Sequence, residues 1–474
     1  MKKVLLVNCN TEKAPYPVPP LGLCLLAASL EGTWEVSIYD CMFDEGAGLV
    51  DRVLQFNPDY IGFSIRNIDN TTPDSVYYVD DQISGIIRPV QDISPAVIIL
   101  GGSGFSIFPE ELMQLTQADY GIIGEAESTL HHLLALLDKG EEVFPSLVVL
   151  VGNSKIRGNT RGSYHKGLFS GRFSEIDLKI DFSPYRERGA YSVQSKRGCS
   201  HGCIYCTYPL LEGTIFRTRK PSDIVEEIEQ AFDRVGDVMF EFVDSTFNDP
   251  KGHAEEICRE IIRRKLRVRL RTMGINPRNS NESLFELMME AGFVQIDATP
   301  DTASARLLAN LGKGFDLPEV QQMATTIKKF NLPTMWFFLF GSPGENEDTF
   351  NETLDFIDTY INPEDLVYMA SGLRVYPNTP LEKTALQEKL IKPGQSLLYP
   401  PVFYFSDGIS RERLSVLIKE ASSERMNCIY STETRPPAEM MLEAHKLRAE
   451  KQIREPMFRT LLRIRKEWKE KGLV

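Results

Sequence analysis

The chain of 474 residues has no stretch approaching the ~20 apolar residues that a membrane-spanning helix needs. The apolar run after Met1-Lys2-Lys3 is too short for a signal-peptide core, and Asn8, Asn10 and Glu12 end it. There is no excess of positive charge. The formal net charge of −13 argues against a general nucleic-acid binder. Cysteine is sparse, and eight in a chain this long do not look like a secreted disulfide framework. No internal repeat or low-complexity segment is found. What remains is a globular composition, long enough for roughly three domains, in a reduced, cytoplasmic setting.

Three of the few cysteines crowd together in Arg197-Gly198-Cys199-Ser200-His201-Gly202-Cys203-Ile204-Tyr205-Cys206, at C-x3-C-x2-C spacing. Thiolates this close can hold one soft-metal centre. Three of them on a [4Fe–4S] cube leave one iron without a protein ligand. Structural zinc wants four ligands, and His201 inside the loop would at best complete a strained site. Cys9, Cys24, Cys41, Cys258 and Cys428 show no paired spacing and read as buried free thiols. The C-x3-C-x2-C motif is that of the radical S-adenosylmethionine (SAM) superfamily, and the chain is identified on it as resembling a member.

Residues 1–150 alternate strands and helices. Lys3 to Val7, Trp34 to Tyr39, Tyr60 to Ile65, Ala96 to Leu100 and Tyr120 to Ile123 read as strands. This predicts a doubly wound, Rossmann-like parallel sheet, which binds ligands beyond the carboxyl ends of its strands. The Pro19-Pro20-Leu21-Gly22 turn, the Gly101-Gly102-Ser103-Gly104 loop and the Gly124-Glu125-Ala126-Glu127 loop lie at such ends. Together they resemble the cobalamin (B12)-binding domain of B12-dependent radical SAM enzymes. The resemblance implies cobalamin contacts at Leu21, Gly22, Ser64, Arg66, Asn67, Gly101, Gly102, Ser103, Gly104, Gly124 and Glu125. The Asp-x-His-x-x-Gly of the methionine synthase type is missing, so the lower face of cobalt is expected to lack a histidine ligand, with Arg66 and Asn67 near it.

A glycine-rich, polar link is expected over 151–185. Six strand–helix units follow over 186–385, with strands starting near Tyr191, Val238, Leu266, Phe293, Pro333 and Leu366. They match the partial (β/α)6 barrel of radical SAM enzymes, with the cysteines at the carboxyl end of the first strand, where barrel sites form. Tyr205 joins the expected cofactor contacts. Asp244 and Ser245 stand where many relatives have Gly-Gly-Glu for SAM's amino group. Asp301 and Ser304 stand where relatives carry Glu-Ser-Gly-Ser, suiting SAM's ribose or amine, or a helix cap. Arg374, in Arg-x-Tyr-Pro-x-Thr-Pro, suits the carboxylate of SAM or of a substrate, or else an internal ion pair. Gly341-Ser342-Pro343-Gly344-Glu345 reads equally as a turn or a ligand contact.

Residues 386–474 are expected to be mostly helical, around 410–427 and 436–470. The last stretch is basic and amphipathic, a docking helix or a contact with a membrane surface. The resemblance implies reductive cleavage of SAM to a 5′-deoxyadenosyl radical. With cobalamin, it implies methylation of an unactivated carbon on a small-molecule or lipid-like substrate, with an electron donor such as flavodoxin or ferredoxin. Rearrangement, cyclisation or hydration on the same scaffold is the alternative chemistry. A non-catalytic cobalamin sensor is the alternative of another class.

Overall fold

Apolar runs bounded by glycine, proline and asparagine set the strands. The computed structural model describes residues 1–13, 16–73, 79–141, 149–152, 155–158, 173–433 and 436–472. Much of the expected link lies outside them. Lys3–Asn8 (β1), Glu35–Asp40 (β2), Tyr60–Ser64 (β3), Val97–Gly101 (β4) and Tyr120–Gly121 (β5) form a parallel sheet in the order β2-β1-β3-β4-β5. Val149–Gly152 (β6) and Lys155–Gly158 (β7) extend it antiparallel, where the sequence reading had placed the domain's end and the link. Both faces are covered. Val4 and Leu6 of β1 pack with the helices Leu21–Leu30 and Glu127–Lys139. Leu5 and Val7 pack with the helices Leu49–Phe56 and Pro109–Thr116. The strand order reverses between β1 and β3, which opens a ligand crevice at Asn8 and Ser64.

The second sheet starts at Tyr191–Val193 (β8). Two short strands, Lys196–Arg197 (β9) and Arg217–Thr218 (β10), pair beside it. Met239–Phe242 (β11), Arg269–Ile275 (β12), Phe293–Asp301 (β13), Thr334–Phe340 (β14) and Leu366–Ser371 (β15) follow. Leu373–Arg374 (β16) pairs antiparallel with Phe403–Tyr404 (β17). The parallel order is β8-β11-β12-β13-β14-β15-β18, where β18 is Cys428–Tyr430. The six strands expected over 186–385 are all present, and β18 adds a seventh. It comes from the region read as helical, and a three-residue strand is too short for any period to reveal.

Helices line only one side of this sheet. Helix Leu317–Phe330 begins with reciprocal capping bonds between Asp316 and Glu319 and ends at Asn331 in the left-handed region, φ 50°. Along β14, Thr334, Trp336, Phe338 and Phe340 are buried against the helices, while Met335, Phe337 and Leu339 on the other face are half-buried. The same contrast along β12, β13 and β15 marks a lumen on the concave side. Helices Ala438–Lys451 and Met457–Glu470 pack on each other at the amino ends of the strands. Phe458 and Leu462 rest on Met335, Leu366 and Ile429, and buried Arg459 pairs with Asp365 at 2.9 Å. The basic tail helix therefore has its apolar face occupied by the barrel. Among the described residues no helix is long and apolar enough to cross a membrane.

Candidate active site between the two sheets

The cysteine loop leaves β9 and is held from several sides. Gly198 has φ +89°, and a Cβ there would stand 2.1 Å from the Ile215 carbonyl oxygen, so only glycine fits. Gly312 (φ +65°) lies against the Gly202 carbonyl, and Ile204 N–H donates to the Leu311 carbonyl at 3.0 Å. The Leu-Gly-Lys-Gly segment is thus a bracket for the cysteines. Asp244 accepts hydrogen bonds from Ser195 N–H (2.8 Å), Ser195 Oγ (2.5 Å) and Lys196 N–H (3.2 Å), with the buried Lys196 ammonium 3.6 Å away. Both its oxygens are taken by the protein, so Asp244 shapes the entry to the loop and does not present itself to SAM's amine. Ser245 donates to the Gly198 carbonyl at 3.3 Å and lies beside Cys199.

Cys199 is buried, and Cys203 and Cys206 are half-buried. Burial raises the pKa of all three, that of Cys206 to about 12, and the Cys199 thiol pushes Cys203 and Cys206 the same way. Lys313 pulls Cys203 and Cys206 down. Three thiols that sense one another's charge suit a cluster whose iron displaces their protons. His201 is engaged elsewhere, with Nε2 2.7 Å from Asp249, a carboxylate also held by Asn276 and Asn279.

At the end of β13, Asp301 adopts φ +68°. Its carboxylate accepts hydrogen bonds from the Tyr205 hydroxyl and, at 2.7 Å, from the Lys313 ammonium. This sets a shielded positive charge beside two cysteines. Ser304, expected at SAM's ribose, is fully enclosed, and its hydroxyl has no partner. Arg374 is likewise not free for a carboxylate. Its Nε donates to Asp69 at 2.8 Å and its other nitrogens to the carbonyls of Val375 and Leu397, at 2.8 and 2.7 Å. The internal ion pair is the outcome. Glu345 turns back on its own loop, accepting from the N–H groups of Gly341 and Ser342.

A cavity of about 620 Å³ lies between the carboxyl ends of the two sheets. Leu21, Gly22, Ser64, Arg66, Asn67 and Gly101 line it, as do Gly102, Ser103, Gly124 and Glu125. Gly104 does not; it packs against the Arg66 and Ile65 carbonyls. A Cβ at Gly22 would meet nothing within 4 Å, and one at Gly101 only the Ile122 carbonyl at 4.0 Å, so both positions leave room for a bulky ligand. Arg66 is exposed, and its side chain makes no hydrogen bond among the described residues. The barrel supplies the facing wall with Gln194, Arg197, Thr207, Tyr208, Leu211 and Glu212. Among the described residues no histidine lines the cavity. Glu125 differs from expectation in being held by Arg217 (2.9 Å) and Arg197 (3.2 Å), and Arg197 also reaches Glu127. Sequence patterns gave no sign of these partners, because ion pairs far apart in the chain leave no local period.

The Radical SAM superfamily model matches residues 193–357, and the B12 binding domain model matches residues 7–134. The chain belongs to the radical SAM enzymes that carry a B12-binding domain. It is 26% identical to an uncharacterized methyltransferase of Pyrococcus horikoshii, over 82% of this chain and 84% of that one. It is 24% identical to the tryptophan 2-C-methyltransferase of Streptomyces laurentii, over 82% of this chain and 75% of that one. The structure of the radical SAM methyltransferase TsrM from Kitasatospora setae, with tryptophan and a SAM analogue bound, aligns over both whole chains with a TM-score of 0.83 at 21% identity. The likeness in fold thus extends over the entire chain, its helical tail included.

Proposed function

We propose that this chain is a cobalamin-dependent radical SAM methyltransferase that methylates an unactivated carbon of a small molecule. The observation that carries the reading is the single cavity walled on one side by B12-domain strand ends and on the other by residues flanking the cysteine loop. The methyltransferases among its relatives support the transfer chemistry. Cys199, Cys203 and Cys206 would hold the [4Fe–4S] cluster, and the Gly22 and Gly101 side of the cavity would hold cobalamin, with Arg66 and Asn67 beneath it. When bound, the cluster supplies the electron that cleaves SAM, and cobalamin supplies a transferable methyl group.

The chain's own residues do the positioning. Gly198 and Gly312 let the cysteine loop close, and Asp244 fixes its entry. Lys313, paired with Asp301, keeps a positive charge beside the thiolates, which favours their charged form. Glu125 and Glu127, gripped by Arg197, tie the B12-domain loop to the residue two places before Cys199. An electron donor such as a ferredoxin or flavodoxin is required, which agrees with a reducing, cytoplasmic setting.

The test is anaerobic reconstitution with iron, sulfide and hydroxocobalamin, followed by turnover with SAM labelled in its methyl group. Label in the product supports the reading. Product without label refutes methyl transfer.

A further inference from the structure

The concave face of the second sheet carries charged side chains that the cofactor sites leave unused. Glu241, Arg271 and Gln295 are register neighbours on β11, β12 and β13, and Asp297 lies two residues beyond Gln295 on the same face. The Arg271 guanidinium stacks on the Tyr16 ring at 4.0 Å, and the Tyr16 hydroxyl donates to Glu241 at 2.6 Å. Arg271 Nε is 2.7 Å from the same carboxylate but out of line for a hydrogen bond. Its Nη2 is shut off from water and has no hydrogen-bond partner among the described residues. Asp297 accepts a hydrogen bond from Gln295 Nε2 at 3.2 Å.

On β14 the same face is apolar, with Met335, Phe337 and Leu339. Phe337 and Tyr368 are register partners with ring centroids 5.4 Å apart, and both are half-buried on this face. Phe458 and Leu462 close the end below. Arg271 is shared between Glu241 and Asp297, so two carboxylates face one cation and the group carries one negative charge in excess. A buried carboxylate that shares its counter-ion either takes up a proton or draws a second cation. Burial indeed lifts Asp297 to about 7.

We infer that this lumen is the substrate chamber, and that the substrate carries a protonated amine that pairs with Asp297 on an apolar body lying against Phe337 and Tyr368. The inference rests on the small-molecule methyltransferase reading above and names the substrate's chemical class. Arg271 Nη2 offers the polar end of the bound molecule a donor. Tyr16, reaching over from the B12 domain, holds the arginine flat in the wall.

The test is binding of 2-phenylethylamine and of 3-phenylpropionate to the full-length, cluster-loaded protein, by equilibrium dialysis. The expected result is that the amine binds, the acid does not, and Asp297→Asn weakens amine binding at least ~10-fold, as loss of a charge-assisted contact predicts. Cluster absorbance of the variant verifies its fold. No amine binding, equal binding of the acid, or unchanged amine binding in Asp297→Asn overturns the inference. Substrate-free SAM cleavage by the wild-type protein is measured alongside. Its failure counts against the methyltransferase reading, while amine binding still decides the chamber.

Discussion

Arg374 and Asp69, 305 residues apart, form a buried ion pair that joins the loop after β3 to the strand pair after β15. Both side chains are almost wholly enclosed, so neither charge has water to fall back on. Asp69→Asn leaves the arginine uncompensated and is expected to destabilise the protein by about 3 kcal/mol. Replacing both partners, Arg374→Met with Asp69→Leu, is expected to recover much of that loss and to leave SAM affinity near the wild-type value. Urea unfolding and a SAM binding titration check the two halves. A large loss of SAM affinity in the double variant would return Arg374 to the ligand site.

Cys199→Ala, Cys203→Ala and Cys206→Ala are each expected to abolish cluster loading and SAM cleavage. Iron content and low-temperature EPR of the reduced protein report the loss. Cobalamin uptake, followed by absorbance, should survive in all three, since the thiols are not in the cavity wall on the B12-domain side.

Gly101→Val puts a branched side chain into space that is empty of protein. Loss of cobalamin binding with a near-normal melting temperature is the expected outcome. Arg66→Ala should shift the cobalamin spectrum or weaken its binding by roughly 10-fold, about the worth of one charge-assisted contact, and spare the cluster. Unchanged cobalamin binding in Gly101→Val would move the cofactor out of this cavity.

Glu345 gives a pH signature. Burial raises its pKa from 4.5 to about 7 in the folded chain. Between those values the folded state holds a proton that the unfolded state has released. Stability contributed by this group is therefore full below about 4.5 and lost as pH rises toward 7. The loss is on the order of 3 kcal/mol. Glu345→Gln, which can still accept from Gly341 and Ser342, should flatten the fall. Melting temperatures of both proteins across that range decide it.

The two sheets were legible because parallel strands buried on both faces write continuous apolar runs, as β1 and β4 do. The cysteine loop was legible because its ligands are close in sequence and glycine is obligatory at Gly198. Asp244 and Ser304 read from the sequence as SAM contacts, and Arg374 as either a carboxylate contact or an internal ion pair. The described structure pairs Asp244 with Ser195 and Arg374 with Asp69 and encloses Ser304. Each is a polar residue at a strand end, and such a residue faces a ligand or a neighbouring segment according to partners far away: Ser195 for Asp244, Asp69 for Arg374. Lys313 escaped notice because its partner, Asp301, is brought to it by a left-handed backbone turn that no local pattern announces. β6, β7 and β18 are too short or too irregular to register against their flanks.

The order of synthesis gives the late strand β18 and the helix Met457–Glu470 a separate meaning. On the ribosome, β15 emerges more than fifty residues before β18 can cover its edge. During that interval the growing chain presents an open strand edge and an apolar chamber with no floor, the features that invite aggregation and chaperone capture. Folding of the barrel can be completed only when its last segment leaves the exit tunnel. Short C-terminal deletions, remote from every cofactor residue, should therefore lower soluble yield before they touch the chemistry.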